Sequence, residues 1–389
     1  MNLKILHLSH TPLVGAPGRI CESLRALGCD ARWAVLNAEN YGGLSFDLDW
    51  LWATNKDEIV AFALQADIIH LHNYIDLKCS DFAPLDFRVL HAAGRPMVRH
   101  FHSNPRLVAR YMGLSEKDVI DCPIPKLVIA QYQERYFPNA RVVPNIVADI
   151  ADRPCRSGLP LRVGYAPSNF RPARTSRWDT KGYPETRKLL ERTIAELRKC
   201  GHDIELDIIT QVPHHECIQR KANCDVFIDD LVTGSYHLNT LESLMQGCAT
   251  LTHLDGRVQH TLFELLGRTD FPALDVRLEN MSDVLKHFAA NPLLARALGT
   301  QSRSWMHNYW HPTAMGGHFV DVYAQVTKAP HNTFPRRFAD DDASIYSVRG
   351  HYDVLWQARH RTWPAQTPEW FLAMRQSVGK TLRHLGLRN

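Results

Sequence analysis

Residues 225–254, DVFIDDLVTGSYHLNTLESLMQGCATLTHL, carry two apolar runs separated by a loop and a helical pattern. DVFID and ATLTHL are short and nearly continuous in apolar residues, as strands buried on both faces of a parallel sheet must be. Between them, NTLESLMQG reads as a helix opened at Asn239 and closed by Gly247. Asn239 and Glu242 stand three residues apart, which predicts a capping box in which each side chain bonds the other's backbone N–H.

The same alternation runs outward in both directions. Upstream, LRVGYAP and IELDIIT are strands, and ETRKLLERTIAELRKCG and HHECIQRKANC are helices. Further upstream, LKILHLS, ARWAVL, DIIHLH, PMVRHFH, KLVIA and RVVP read as strands, with helices through GRICESLRALG, DEIVAFALQA and FRVLHAAG. IADRPCRSGLP interrupts this pattern with turn residues and no periodicity, so the linker is placed there. The expectation is α/β: a Rossmann-like domain over 1–153, a second over 160–328, and a tail over 329–389. Two doubly wound sheets in tandem face each other across a cleft lined by strand-end loops.

Bulk properties narrow the class. The 389 residues are 45% hydrophobic and 22% charged, as in a folded globular protein. The net charge of +4 suits anionic ligands, without the dense basic block of a nucleic-acid binder. MNLKILHLSHTP reads as a first strand rather than a signal peptide, and the apolar runs are too short to span a membrane. Nine scattered cysteines without a Cys-x-x-Cys pair predict reduced thiols, a cytoplasmic location and no structural zinc. The final run, FLAMRQSVGKTLRHLGLRN, is basic with no acid; it is read as a helix packing back on the first domain, with peripheral membrane contact as the other use.

The chemistry-bearing residues fall at strand ends. SHTPLVGAPGRI places Gly15 and Gly18 in a loop entering a helix, whose N-terminus can face an anion. It lacks the G-x-G-x-x-G spacing of a dinucleotide site. His70 and His72, then His100 and His102, repeat at i and i+2, so each pair shares a strand face. A single cleft-facing histidine is the expected use. A metal site of barrel hydrolase type is the alternative, but such a barrel needs eight βα units around one axis. YAPSNFRPARTSRWDTKG gathers Arg171, Arg174, Arg177 and Lys181 after the first strand of the second half. Such a loop beside a helix N-terminus would hold a pyrophosphate without metal.

In their order and spacing, these segments resemble the GT-B glycosyltransferases, in particular the large retaining group that builds cell-surface polysaccharides. The resemblance covers roughly residues 3–325. It implies a nucleoside diphosphate-sugar donor held mainly by the second domain and a glycan or lipid-linked glycan acceptor held mainly by the first. It implies no cofactor and no metal, and nothing in it points to nucleic acid. Lys181 matches the lysine of the group's Lys-Gly motif, which contacts the donor diphosphate; Arg174 and Arg177 both stand where its arginine partner falls. His102 matches the histidine beside the reacting sugar, and Gly15 the loop that closes over the donor phosphates. Glu242 matches the second glutamate of a Glu-x7-Glu motif, which bonds the donor ribose, with His237, Asn239 and Thr240 around it. The motif's first glutamate is replaced by Gly234; Asp229, Asp230 and His237 are the polar neighbours that could substitute. Two rival readings share the architecture: a non-catalytic nucleotide-sugar or glycan-binding protein, and a sugar-nucleotide epimerase.

Overall fold

A computed structural model describes residues 3–38, 46–131, 136–137, 139–149, 158–167 and 181–335. In the first half, the elements are β1 (Lys4–Ser9), α1 (Ala16–Ala26), β2 (Asp30–Val35), β3 (Trp50–Leu51), α2 (Trp52–Gln65) and β4 (Ile68–His72). They continue with α3 (Phe87–Ala92), β5 (Met97–Phe101), α4 (Pro105–Met112), α5 (Glu116–Ile120), β6 (Lys126–Ile129) and β7 (Ala140–Val143). The second half opens with β8 (Leu161–Tyr165), α6 (Tyr183–Lys199), β9 (Ile204–Ile208), α7 (His214–Ala222), β10 (Val226–Ile228) and α8 (Leu238–Met245). It closes with β11 (Ala249–Thr252), α9 (Gly256–Leu266), β12 (Leu274–Asp275), α10 (Met281–Ala290), α11 (Pro292–Tyr309) and α12 (Pro312–Lys328).

Both sheets are parallel. The first runs β3-β2-β1-β4-β5-β6-β7 and the second β9-β8-β10-β11-β12. The fold is therefore α/β with two Rossmann-like halves, as the alternation predicts. Buried strands explain the apolar runs: all five residues of β4 and of β5 are shielded from solvent. In each sheet the strand order reverses once, between β1 and β4 and between β8 and β10. Ligands in open α/β sheets bind beyond the strand C-termini at such reversals.

The two sheets share one core. Its largest apolar cluster runs from Ile5 and Trp33 through Phe319 and Trp310 to Leu244 and Val258. Two close approaches set α11 within the second half and α12 against the first. A Cβ on Gly299 of α11 would lie 2.1 Å from the carbonyl oxygen of Gly247, just past α8. A Cβ on Gly316 of α12 would lie 2.1 Å from Ser23 Oγ on α1. Ser23 also donates to the Pro312 carbonyl at 2.5 Å. Thus α12, at the end of the second half's sequence, packs on the first half. The tail expected to do so lies outside the described residues beyond 335. Among the described residues, no helix is long and apolar enough to cross a membrane, and eight cysteines are free thiols.

The adjacent glycines of α12 give a direct test of this packing. Gly316→Ala should cost about 1–3 kcal/mol, the usual penalty for overpacking. Gly317 faces open space, so Gly317→Ala should gain about 0.5–1 kcal/mol from the better helix former. Urea unfolding of the two variants against the parent measures both.

Candidate functional site

The turn into α6 shows why this site is built as it is. Lys181 has φ 51° and Gly182 has φ 69°, two successive left-handed residues, and Gly182 is the helix N-cap with no side-chain cap. A Cβ on Gly182 would lie 2.3 Å from Val232 Cγ2, so the second residue of this turn must be glycine. The Lys-Gly pair thereby places a cation beside the uncapped N-terminus of a 17-residue helix. Lys181 is near enough to Asp229, at the end of β10, to help hold that carboxylate ionised. Arg171, Arg174 and Arg177 lie outside the described residues.

The start of α8 differs from the expected capping box. The N-cap is His237, with no side-chain cap, and Asn239 already lies inside the helix. Asp229 braces the entry to the helix instead, accepting from the His237 backbone N–H at 3.2 Å and the Thr240 hydroxyl at 2.5 Å. Its carboxylate lies 3.4 Å from His237 Nδ1. Burial alone would raise the Asp229 pKa; His237, Lys181 and Thr240 reverse this and hold it below the usual carboxylate range. Asp230 is turned inward, accepting from the backbone N–H groups of Val232 and Thr233 and from the Thr233 hydroxyl. Because Asp229 puts a negative charge at the start of α8, the better-placed anion site is the Lys181–Gly182 turn.

Glu242 points away from its own helix end. One carboxylate oxygen takes His214 Nε2 at 2.8 Å and the other the buried ammonium of Lys221. Lys221 Nζ also donates to Asn239 Oδ1 at 2.6 Å, and Asn239 Nδ2 to the Ala166 carbonyl at 2.8 Å, tying α7 and α8 to the end of β8. Burial pushes the Glu242 pKa up, but Lys221 and His214 bring it down to about 2. Lys221, pushed down by burial, is raised overall by Glu242. Both groups are therefore charged. His214 is the more open partner, with 32% of its side chain accessible against 8% for Glu242.

The first half brings its own groups to this place. Gly15 has φ 71° and packs so tightly on Phe46 that a Cβ would lie 2.6 Å from the ring. From the next turn, Arg19 donates to the carbonyls of Ile146 at 2.7 Å and Val14 at 3.0 Å. Its charge is supported by Glu242 and felt by His102. The Phe46 ring lies 6.4 Å from that of His214. The sequence reading missed Arg19, His214 and Lys221. Lys221 is read as one more charge on a polar helix, and no local spacing marks it as buried.

His102 is half-buried just past β5, with its backbone N–H donated to Asn73 Oδ1 at 2.7 Å. Of the paired histidines, His70, His72 and His100 are buried and only His102 is half-buried. His7, His70, His72, His100 and His102 pack as one group against Tyr323 of α12. His7 Nδ1 lies 3.0 Å from His72 Nε2, and His72 Nδ1 lies 2.9 Å from His102 Nε2. Burial lowers the pKa of His102 to about 3, with Arg19 adding to the effect, and lowers that of His7 to about 3. A polar residue inside the apolar strand LKILHLS was the available signal for His7.

Gly234 has φ 77°, and a Cβ there would lie 2.9 Å from both Asp255 Cβ and Asp255 Oδ2. A glutamate cannot take this position without moving a carboxylate that caps α9 through Val258 N–H. The departure from the Glu-x7-Glu pattern is thus built into the loop.

No protein-family model matches the sequence, and no curated protein matches it. Solved structures do. A glycosyltransferase from Rickettsia africae has 13% identity and a TM-score of 0.50, over 85% of this chain and all of that one. An alpha-glucosyltransferase solved with UDP and a 13-mer DNA has 10% identity and a TM-score of 0.50, over 82% of this chain and 99% of that one. These likenesses establish the two-domain GT-B fold.

Two outcomes follow from this geometry. Between pH 6.5 and about 3, an unfolded chain takes up protons on His7 and His102 that the folded chain does not. Stability should therefore fall as pH drops through that window, and His7→Gln should make the decline shallower; urea midpoints across this range measure it. Gly234→Glu, which restores the motif letter, should destabilise the fold by more than about 1 kcal/mol rather than improve ligand binding.

Proposed function

We propose that this protein transfers a sugar from a nucleoside diphosphate-sugar to an acceptor hydroxyl. The observation that carries this reading is the convergence of both sheets' strand-end residues. Lys181, His237 and Glu242 come from the second half, and Gly15, Arg19 and His102 from the first. The donor diphosphate sits at the Lys181–Gly182 turn, with Arg174 or Arg177 as the second cation that the resemblance implies. Lys181, the N-terminal amides of α6 and the arginine take up the charge that grows as the glycosidic bond breaks, so no ion has to bridge the phosphates. The ribose reaches Glu242 through the more open His214, since a carboxylate accepts more than the two bonds Glu242 now makes. Neutral His102 and the Gly15 loop lie on the sugar side, and the acceptor enters from the first half.

The carboxylates Asp229 and Glu242 are held in bonds that favour the ionised form and keep them below the usual carboxylate range, which makes them weak bases for the acceptor proton. Removal of the acceptor proton then falls to the leaving phosphate on the same face of the sugar, which gives retention. A glycan or lipid-linked glycan acceptor in cell-surface polysaccharide synthesis fits this reading, as does peripheral membrane contact through the basic tail.

Lys181→Ala should lower kcat/KM by about 10²–10³, the cost of one preorganised donor. Turnover left intact would place the diphosphate elsewhere. A panel of UDP-, GDP-, ADP- and CMP-sugars identifies the donor by thermal shift, since a ligand at 100 times its Kd stabilises by about 2.7 kcal/mol. If no member of the panel moves Tm, the nucleotide-sugar reading fails.

A further inference from the structure

Four of the five clustered histidines take no part in the transfer just proposed. His7, His70, His72 and His100 are shielded from water to within 1%. They come from three adjacent strands, β1, β4 and β5, whose register pairs His7 with His70 and His72 with His100. Rings of like kind are brought into one dry layer, with His100 and His102 centroids 4.1 Å apart. Among the described residues, neither ring nitrogen of His100 has a hydrogen-bond partner, and both are buried. A buried imidazole left in that state forfeits about 1–3 kcal/mol for each unmet group. A metal ion accepting the lone pair of one His100 nitrogen would remove the cost at that atom.

We propose that His72, His100 and His102 hold a divalent transition-metal ion of the zinc class. One nitrogen from each lies within 4.8 Å of the other two. His72 Nδ1 and His102 Nε2 are already 2.9 Å apart. Around a tetrahedral ion with bonds of about 2.0–2.1 Å, such nitrogens stand roughly 3.3 Å apart, so this pair needs to part by only a few tenths of an ångström, with the His100 nitrogen drawn in from within 4.8 Å. Imidazole suits zinc, copper, nickel and iron, and excludes magnesium and calcium as the preferred ion. Burial also keeps these rings neutral at physiological pH, the form a metal needs.

The surrounding bonds fit the same assignment. With Nδ1 of His72 on the ion, its Nε2 carries the proton and donates to His7 Nδ1 at 3.0 Å. Nε2–H of His7 then donates to Tyr323 Oη at 3.3 Å, and the Tyr323 hydroxyl to His70 Nδ1 at 2.7 Å. Without an ion this chain runs equally well in either direction. With one, every proton in it is placed, as in the outer shells that orient metal-bound histidines.

This inference does not rest on the glycosyl-transfer reading. It sets aside the expectation of a protein without metal and leaves the diphosphate site as described. The full-length chain, stripped with a chelator and then titrated separately with Zn²⁺ and Co²⁺, should retain about one equivalent after gel filtration. Its Tm should rise, and Co²⁺ should give the strong visible bands of a tetrahedral nitrogen site without thiolate charge transfer. His100→Gln, which keeps a polar side chain of similar reach, should lose that equivalent while still unfolding cooperatively; should it misfold, His102→Gln makes the same test from the more open side. Cys79→Ala, at a separate group of possible ligands formed with His10 and Asp81, should keep it. Retention of stoichiometric metal by both histidine variants, loss in Cys79→Ala, or no binding by the parent would each overturn the proposal.

Discussion

Glu242 is an ionised carboxylate out of water, and much of the second half is arranged to keep it so. Removing a carboxylate from water costs several kcal/mol unless a partner of opposite charge and further hydrogen bonds meet it. Lys221 supplies the charge from α7, His214 supplies a second bond, and Asn239 ties Lys221 to the end of β8 through Ala166. One ion pair thus fixes the positions of α7, α8 and the β8 loop together. Losing either partner would strand the other, at a cost of about 3–5 kcal/mol. The order reversal between β8 and β10 is where these elements meet, so the constraint acts on the ligand-facing edge of the sheet.

The first half solves a different problem. Five histidines occupy the C-terminal ends of three central strands, where apolar side chains would otherwise fill the space. Their bonds to one another and to Tyr323 join β1, β4 and the region past β5 to α12. Because α12 follows the second sheet in sequence, this polar layer and the Gly316–Ser23 approach bind the chain's two halves at the back of the site. The shared apolar core runs through the same region. Dry surroundings that keep His102 neutral and packing that holds the halves together have one source.

The alternation of short apolar runs with helical segments was enough to give two parallel sheets, because strands buried on both faces carry a pattern that few other structures share. Lys181 stood out in the sequence as part of a basic loop and by resemblance to a Lys-Gly motif, whereas the exclusion of a side chain at Gly182 is visible only in the structure, where Val232 fills the space. Asn239 and Glu242 read locally as a capping box, and locally that was reasonable. Their side chains instead meet Lys221, which lies 18 and 21 residues away in the chain. A buried charge partner that strong outweighs a helix-end bond worth about 1 kcal/mol.

The sequence by itself determined the sheets, their strand-end loops, the glycine that stands at 234 and the pairing of histidines by strand parity. Each depends on neighbours in the chain, on a period of two or 3.6 residues, or on a turn. Tertiary structure alone decided that His7 joins His70, His72, His100 and His102, that Asp229 braces the entry to α8, and that Arg19 and Glu242 feel each other's charge, as do Arg19 and His102. Those contacts come from strands and helices far apart in the chain, brought side by side by sheet order. A linear pattern records which face a residue takes, but not which distant charge will meet it there.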